Sequence, residues 1–209
     1  MTTGRFIAFE GGEGMGKSTQ ARLLRDALAE RGYEVVLTRE PGGTAGAEAI
    51  RELLLHPPGE GWGPEAEALL FAAARADHVA RLIRPAIEAG RWVICDRFLD
   101  SSRAYQGIAG ALGDEEVRTL HAIGSAGLLP DLTLVIGADS AEVANRLRER
   151  DGDRSDAIGG RDETYHRAVN AAFQGFAQED PERFALIDGT GTIEDVHNRI
   201  MQALEGLIA

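Results

Sequence analysis

The sequence predicts an α/β fold: a five-stranded parallel sheet with helices on both faces. Two observations predict it. Short, near-continuously apolar runs recur along the chain, as expected of strands buried on both faces of a parallel sheet. Longer helical stretches separate them, and glycine and proline mark the boundaries, with no repeat period or low-complexity linker. The 209 residues, 44% hydrophobic and 27% charged, are enough for one domain over 1–209 with a sizeable core, and they exclude disorder.

The expected strands are Phe6 to Phe9, Glu34 to Thr38, Trp92 to Cys95, Leu132 to Ile136 and Phe184 to Ile187. Lys17 to Arg31 reads as a helix stopped by Gly32. Pro64 to Ala89 has proline at a first-turn position and stops at Gly90, and Ile193 to Leu207 is a further helix. Two segments break this rhythm and read as candidate mobile loops. One is Pro41-Gly42-Gly43; the other is the polar, glycine-rich and aspartate-rich stretch from Asp151 to Gly160.

Twenty-two Lys plus Arg against 34 Asp plus Glu give a net charge of −12, which argues against non-specific attachment to nucleic acid or an anionic membrane. Cys95 is the single cysteine, so no internal disulfide is available. No apolar run approaches the ~20 residues that span a bilayer. A cytoplasmic location is expected.

Chemistry first appears at Gly11, Gly12, Glu13, Gly14, Met15, Gly16, Lys17 and Ser18, which match G-x-x-x-x-G-K-[ST] between an apolar strand and a helix. Glycines let successive backbone N–H groups turn inward around a polyphosphate, and the helix N-terminus adds a positive dipole. Lys17 would reach the β and γ phosphates and Ser18 would offer an oxygen to Mg²⁺, with Thr19 completing the cradle. A nucleoside triphosphate is therefore expected, with Mg²⁺ as its companion. Asp96 ends an apolar strand, where such proteins place a second magnesium-side acid; capping the following segment is its plainer use. Cys95 reads as an inert buried thiol.

The phosphate loop alone does not separate a switch, a motor and a small-molecule kinase. No Asn-Lys-x-Asp segment is present to read guanine, and the chain is short for a large ATPase. A compact enzyme for a second anionic substrate remains, with arginines to hold it. Arg39, Arg51, Arg75, Arg97 and the group Arg146, Arg148, Arg150, Arg154 and Arg161 are available.

Further motifs follow in order: Thr38-Arg39-Glu40-Pro41-Gly42-Gly43-Thr44, Ala68 to Arg75, Asp96-Arg97-Phe98 with Ser101 to Gly107, and Ile187-Asp188-Gly189. Together with the phosphate loop they resemble the bacterial thymidylate kinases, over essentially the whole chain. The resemblance implies a nucleoside monophosphate kinase fold with a lid at about 150–161, ATP as phosphoryl donor, dTMP as acceptor and a homodimer. It implies that Phe71 stacks on thymine and that Arg75, Ser102 and Gln106 read the base edge. Tyr105 would disfavour a 2′-hydroxyl, and Arg51 and Arg97 would clamp the dTMP phosphate. Glu13 would meet the 3′-hydroxyl or metal-bound water, and Arg154 or Arg161 would supply lid charge. Glu40-Pro41 resembles a family turn that often carries a cis bond. Ala74 departs from relatives with an acid before the arginine, and the lid segment is longer than in many of them. A kinase for another small phosphate acceptor and a non-enzymatic nucleotide-binding module are the alternative readings.

Overall fold

Five strands form one parallel sheet in the order β2-β3-β1-β4-β5: β1 Phe6–Glu10, β2 Val35–Arg39, β3 Trp92–Asp96, β4 Leu132–Gly137 and β5 Phe184–Asp188. The computed structural model describes residues 4–137 and 161–208. Each strand lies where the apolar runs place it, except that β2 begins at Val35 rather than Glu34, and each runs one residue further at its carboxyl end. That extra residue is Glu10, Arg39, Asp96, Gly137 or Asp188, so four of the five strands deliver a charged side chain to one edge of the sheet.

Alternation along the central strands sorts the core into layers. Ile7, Phe9, Trp92, Ile94, Leu134 and Ile136 face one side and pack against α1 (Lys17–Glu30). Phe6, Ala8, Val93 and Cys95 face the other, beneath Val79, Ile83 and Ala86. These central side chains are essentially removed from water, at about 1.5–3 kcal/mol for each large one. Edge strand β2 is only half-buried.

Further helices flank the site beyond those expected: α2 (Ala45–Leu55), ahead of α3 (Pro64–His78), and the helical run that follows β3. Thr44 caps α2 by accepting from the Ala47 amide at 3.3 Å. The stretch expected as one helix from Pro64 to Ala89 is continuous but changes pitch. After α3 comes a π-helical segment, Val79–Ile83, and then α4, Arg84–Glu88. Pro85 gives the physical reason, since its ring would strike the carbonyl four residues back in a regular α-helix. The wider turn, closed by the Arg84 amide on the Val79 carbonyl, makes room.

After β3 the chain forms α5 (Leu99–Ser102), a second π-helical segment (Arg103–Ala109) and α6 (Asp114–Ser125). Beyond the segment outside the described residues come α7 (Glu163–Glu179), capped by Asp162 on the Tyr165 amide at 2.8 Å, and α8 (Ile193–Ala203). The helix expected to Leu207 ends at Ala203 in turns. The lid candidates Arg146, Arg148, Arg150 and Arg154 lie outside the described residues, as does the expected loop from Asp151 to Gly160.

Candidate active site

β1 runs into the phosphate loop, and the sterics of that loop explain its glycines. Gly11 has φ 131° and lies so close to β4 that a Cβ would sit 2.3 Å from the Ile136 carbonyl oxygen. Gly16, at φ 80°, turns the chain left-handed into α1. Met15 contributes backbone only, because its side chain is buried in the core beneath the sheet. Lys17 folds back over the loop, and its Nζ donates to the carbonyls of Gly11 at 3.0 Å and Gly12 at 2.5 Å. Burial, reinforced by the neighbouring Arg97 guanidinium and opposed by Asp96, Glu10 and Glu13, pushes Lys17 down to about 7. An incoming polyphosphate reverses the sign of that environment.

Ser18 hydrogen-bonds through Oγ to Asp96 Oδ2, so the first turn of α1 and the end of β3 bring two hard oxygen donors together. Asp96 is placed by register, level with Phe9 of β1 and Arg39 of β2.

Arg97 follows at φ 69°, an uncommon conformation for a non-glycine residue. Its surroundings hold it there. Glu10 accepts from the Phe98 and Ser101 amides, both at 2.9 Å, and from Ser101 Oγ at 2.6 Å. Arg97 in turn donates to the Gly11 carbonyl at 3.2 Å and Ser101 Oγ at 3.1 Å, with Glu13 at 4.0 Å. Burial works against the Arg97 charge, but Tyr105, Glu10, Asp96 and Glu13 outweigh it and raise its pKa. Burial, with repulsion from Asp100, raises Glu10 to about 7.

Opposite the loop, α3 presents Glu67, Phe71, Arg75 and His78 at i, i+4, i+8 and i+11, a single stripe. Arg75 is buried and fully oriented without an acid at position 74. Its Nε donates to Glu40 Oε2 at 2.7 Å, and its Nη2 donates to Ser102 Oγ at 2.7 Å and the Phe98 carbonyl at 3.2 Å. His78 Nδ1 lies 3.0 Å from the other Glu40 oxygen, and its Nε2 lies 2.8 Å from Thr38 Oγ1. Glu40 therefore ties the end of β2 to α3, at the turn where the Glu40-Pro41 bond is cis. The Pro41 carbonyl accepts from Arg51 Nη1 at 2.7 Å. Gly43 closes against the same network: at φ 88°, a Cβ there would lie 2.5 Å from His78 Nε2.

Tyr105 is buried with its ring 5.1 Å from the Arg97 guanidinium carbon, and its hydroxyl has no hydrogen-bond partner among the described residues. Gln106 donates through Nε2 to Glu67 Oε1 at 2.9 Å, and Arg161 donates to Glu67 Oε2 at 2.5 Å and to the Tyr165 hydroxyl. Arg161 is thus engaged at α3. Cys95 is buried, donates to the Arg97 carbonyl and is held well above the usual thiol range by burial and three nearby carboxylates.

One cleft of about 270 Å³ collects these groups. Glu13, Gly14, Lys17, Ser18, Asp96 and Arg97 line one end; Arg51, Phe71, Arg75, Ser102, Tyr105 and Gln106 line the other. Gly11, Gly12, Met15, Gly16 and Thr19 do not line it: the first four lie in the loop, and Thr19 is in the first turn of α1. Glu10, Glu67 and His78 are functional neighbours that the sequence does not single out, and Glu40 stands out there only as part of the Thr38 to Thr44 motif and its turn. Their partners lie from 35 to 94 positions away.

A glycine cradle on the central strand, a lysine and hydroxyl on the helix it opens, and a second cationic and aromatic pocket sharing the cleft define a P-loop kinase of small molecules. A family model described as Thymidylate kinase matches residues 9–200, and the chain belongs to the thymidylate kinase family. It is 58% identical to a thymidylate kinase of Rhizorhabdus wittichii over 205 residues, covering 98% of this chain and 99% of the relative. It is 45% identical to a thymidylate kinase of Bradyrhizobium sp. (strain ORS 278), covering 96% and 89%. The crystal structure of thymidylate kinase from Ehrlichia chaffeensis superposes with a TM-score of 0.77 at 32% identity, covering 97% of this chain and 99% of that one.

Proposed function

We propose that residues 1–209 act as one kinase domain that transfers the γ-phosphoryl group of ATP to dTMP, giving dTDP and ADP for dTTP synthesis. The observation that carries this reading is the single cleft joining the phosphate loop to a pocket with an aromatic face, Phe71, and convergent polar groups. A dTMP phosphate oxygen attacks the γ-phosphorus in line while the β–γ bridging oxygen leaves with ADP. That oxygen is already anionic near neutral pH, so no strong base is required, and positioning with charge neutralisation does the work.

In this reading the Gly11–Thr19 backbone cradles the triphosphate and Lys17 neutralises the transferring group. The adjacent Ser18 and Asp96 oxygens suit a hard cation, and Mg²⁺ held there would screen the β and γ charges. Arg51 and Arg97 clamp the dTMP phosphate, and Glu13 meets the sugar 3′-hydroxyl or metal-bound water. Phe71 stacks on thymine, Arg75, Ser102 and Gln106 take its polar edge, and the Tyr105 hydroxyl faces the sugar. Arg154 and Arg161 are the proposed lid cations; in the arrangement described, Arg161 is paired with Glu67.

A homodimer is supported by the family resemblance and by exposed Leu69 and Ile123 on the contacting helices α3 and α6. No described helix is long and apolar enough to cross a membrane. A cytoplasmic site of action fits the lone buried thiol, and a net charge of −12 disfavours nucleic acid as a partner. The test is ADP release measured across a panel of nucleoside monophosphates. dTMP is expected to give the highest kcat/KM, and release that is indifferent to dTMP overturns the reading.

A further inference from the structure

Gln106 is buried, lines the cleft, and has an amide whose two ends offer opposite chemistry: Nε2 donates and Oε1 accepts. Which end faces the ligand decides which base edge it can read. The structure settles this through a residue outside the cleft lining. Glu67, one helical turn before Phe71 on α3, takes the Gln106 Nε2 donor on Oε1 at 2.9 Å. Its other oxygen is taken by the Arg161 guanidinium at 2.5 Å. A carboxylate paired with a guanidinium has only acceptors to offer, so the NH₂ end of Gln106 must turn toward it. Among the described residues no group hydrogen-bonds Gln106 Oε1. That acceptor is left for the cleft.

We infer that Glu67 is a positioning residue that sets base selectivity, by fixing the Gln106 amide with its oxygen toward the bound base. The inference rests on the proposed dTMP kinase reading. Thymine carries an N3–H donor between two carbonyls, which matches an acceptor at Gln106 beside the Arg75 donor. Cytosine carries a lone pair at N3 and would meet the Gln106 oxygen acceptor to acceptor, with two polar groups left unpaired in a closed pocket.

Glu67→Gln inverts the instruction. Arg161 still demands an acceptor, so the new amide gives its oxygen to Arg161 and its NH₂ to Gln106. Gln106 then turns over and presents NH₂ to the base, opposing N3–H of thymine and pairing with N3 of cytosine. Glu67→Ala removes the instruction without inverting it and should fall between wild type and Glu67→Gln.

The experiment measures kcat/KM for dTMP and dCMP at saturating ATP in the full-length wild type, Glu67→Gln, Glu67→Ala, Gln106→Ala and the Glu67→Gln/Gln106→Ala double variant, with thermal melts alongside. The expected result is a dTMP-to-dCMP ratio at least tenfold lower in Glu67→Gln and in Gln106→Ala, with the double variant no worse than Gln106→Ala. A merely structural role for Glu67 would lower Tm and both efficiencies together, leave the ratio unchanged, and overturn the inference. So would a ratio unchanged in Gln106→Ala. A wild type without dTMP-dependent ADP release would instead overturn the proposed function itself.

Discussion

Lys17 is buried, and burial, reinforced by the neighbouring Arg97 guanidinium, pushes its pKa down to about 7 against an ordinary value of 10.5. The unfolded chain therefore binds this proton more tightly than the folded one between those two pH values, so this group's contribution to stability rises with pH across that window and is least below about 7. A bound triphosphate favours the charged form. Nucleotide binding at pH 8 should consequently take up close to one proton, read by calorimetry in buffers of different ionisation enthalpy. Lys17→Ala should abolish that uptake and lower phosphoryl transfer on the order of 10²-fold or more while remaining folded.

Tyr105 makes a second case, because its buried hydroxyl lacks a partner. Removing an unsatisfied hydroxyl does not cost a hydrogen bond. Tyr105→Phe is expected to keep or raise Tm while lowering the preference for dTMP over ribo-TMP in kcat/KM. A fall in Tm of several degrees with sugar preference intact would refute the assignment.

At the scale of elements, the end of β2 and the middle of α3 meet through one carboxylate. Glu40 satisfies Arg75 and His78 together in a site almost closed to water. Glu40→Ala strands a buried guanidinium, so a loss of about 3–5 kcal/mol is expected in denaturant unfolding. The same substitution should raise the KM for dTMP, since Arg75 and the Pro41 turn whose carbonyl holds Arg51 both lose their anchor. This junction shows why part of the site was legible in sequence and part was not. The phosphate loop is a local pattern, and Asp96 sits at the end of an apolar strand, so local spacing reveals both. Glu40 and His78 are 38 residues apart, and Glu67 and Arg161 are 94 apart; only the folded sheet turns them from ordinary surface residue types into a network.

Helices α2 and α7 did carry readable signals in Thr44 and Asp162 as caps, but polar residues at loop ends are common enough to hide them. The pitch change at Val79 was masked by continuous helical composition. Pro85 was its only sign.

Across the whole molecule the cleft divides into a phosphate half on β1 and β3 and a base-reading half on α3 and the second π-helical segment, with Arg161, just ahead of α7, reaching over to Glu67. The two lid candidates should then behave differently. Arg154→Ala is expected to lower kcat at least tenfold with dTMP affinity nearly unchanged, as for an interaction formed mainly in the transition state. Arg161→Ala should also raise the KM for dTMP, because it releases Glu67. Steady-state kinetics at saturating ATP distinguish the two, and identical profiles would reject the division.

The order β2-β3-β1-β4-β5 has a consequence for how the chain reaches this state. β1 is the first strand in sequence but lies at the centre of the sheet. It pairs Phe6 with Val93 on one side and Ile7 with Leu132 on the other, partners 87 and 125 residues downstream. Closing such long loops precedes any reward from pairing, so this topology is slow to form. A ribosome that has released the first fifty residues has delivered the entire phosphate-loop sequence, but not the carbonyl of Ile136 against which Gly11 is fitted. The phosphate loop is therefore expected to take up its shape late in synthesis, and the amino-terminal third emerges with the apolar faces of β1 and its helix still uncovered.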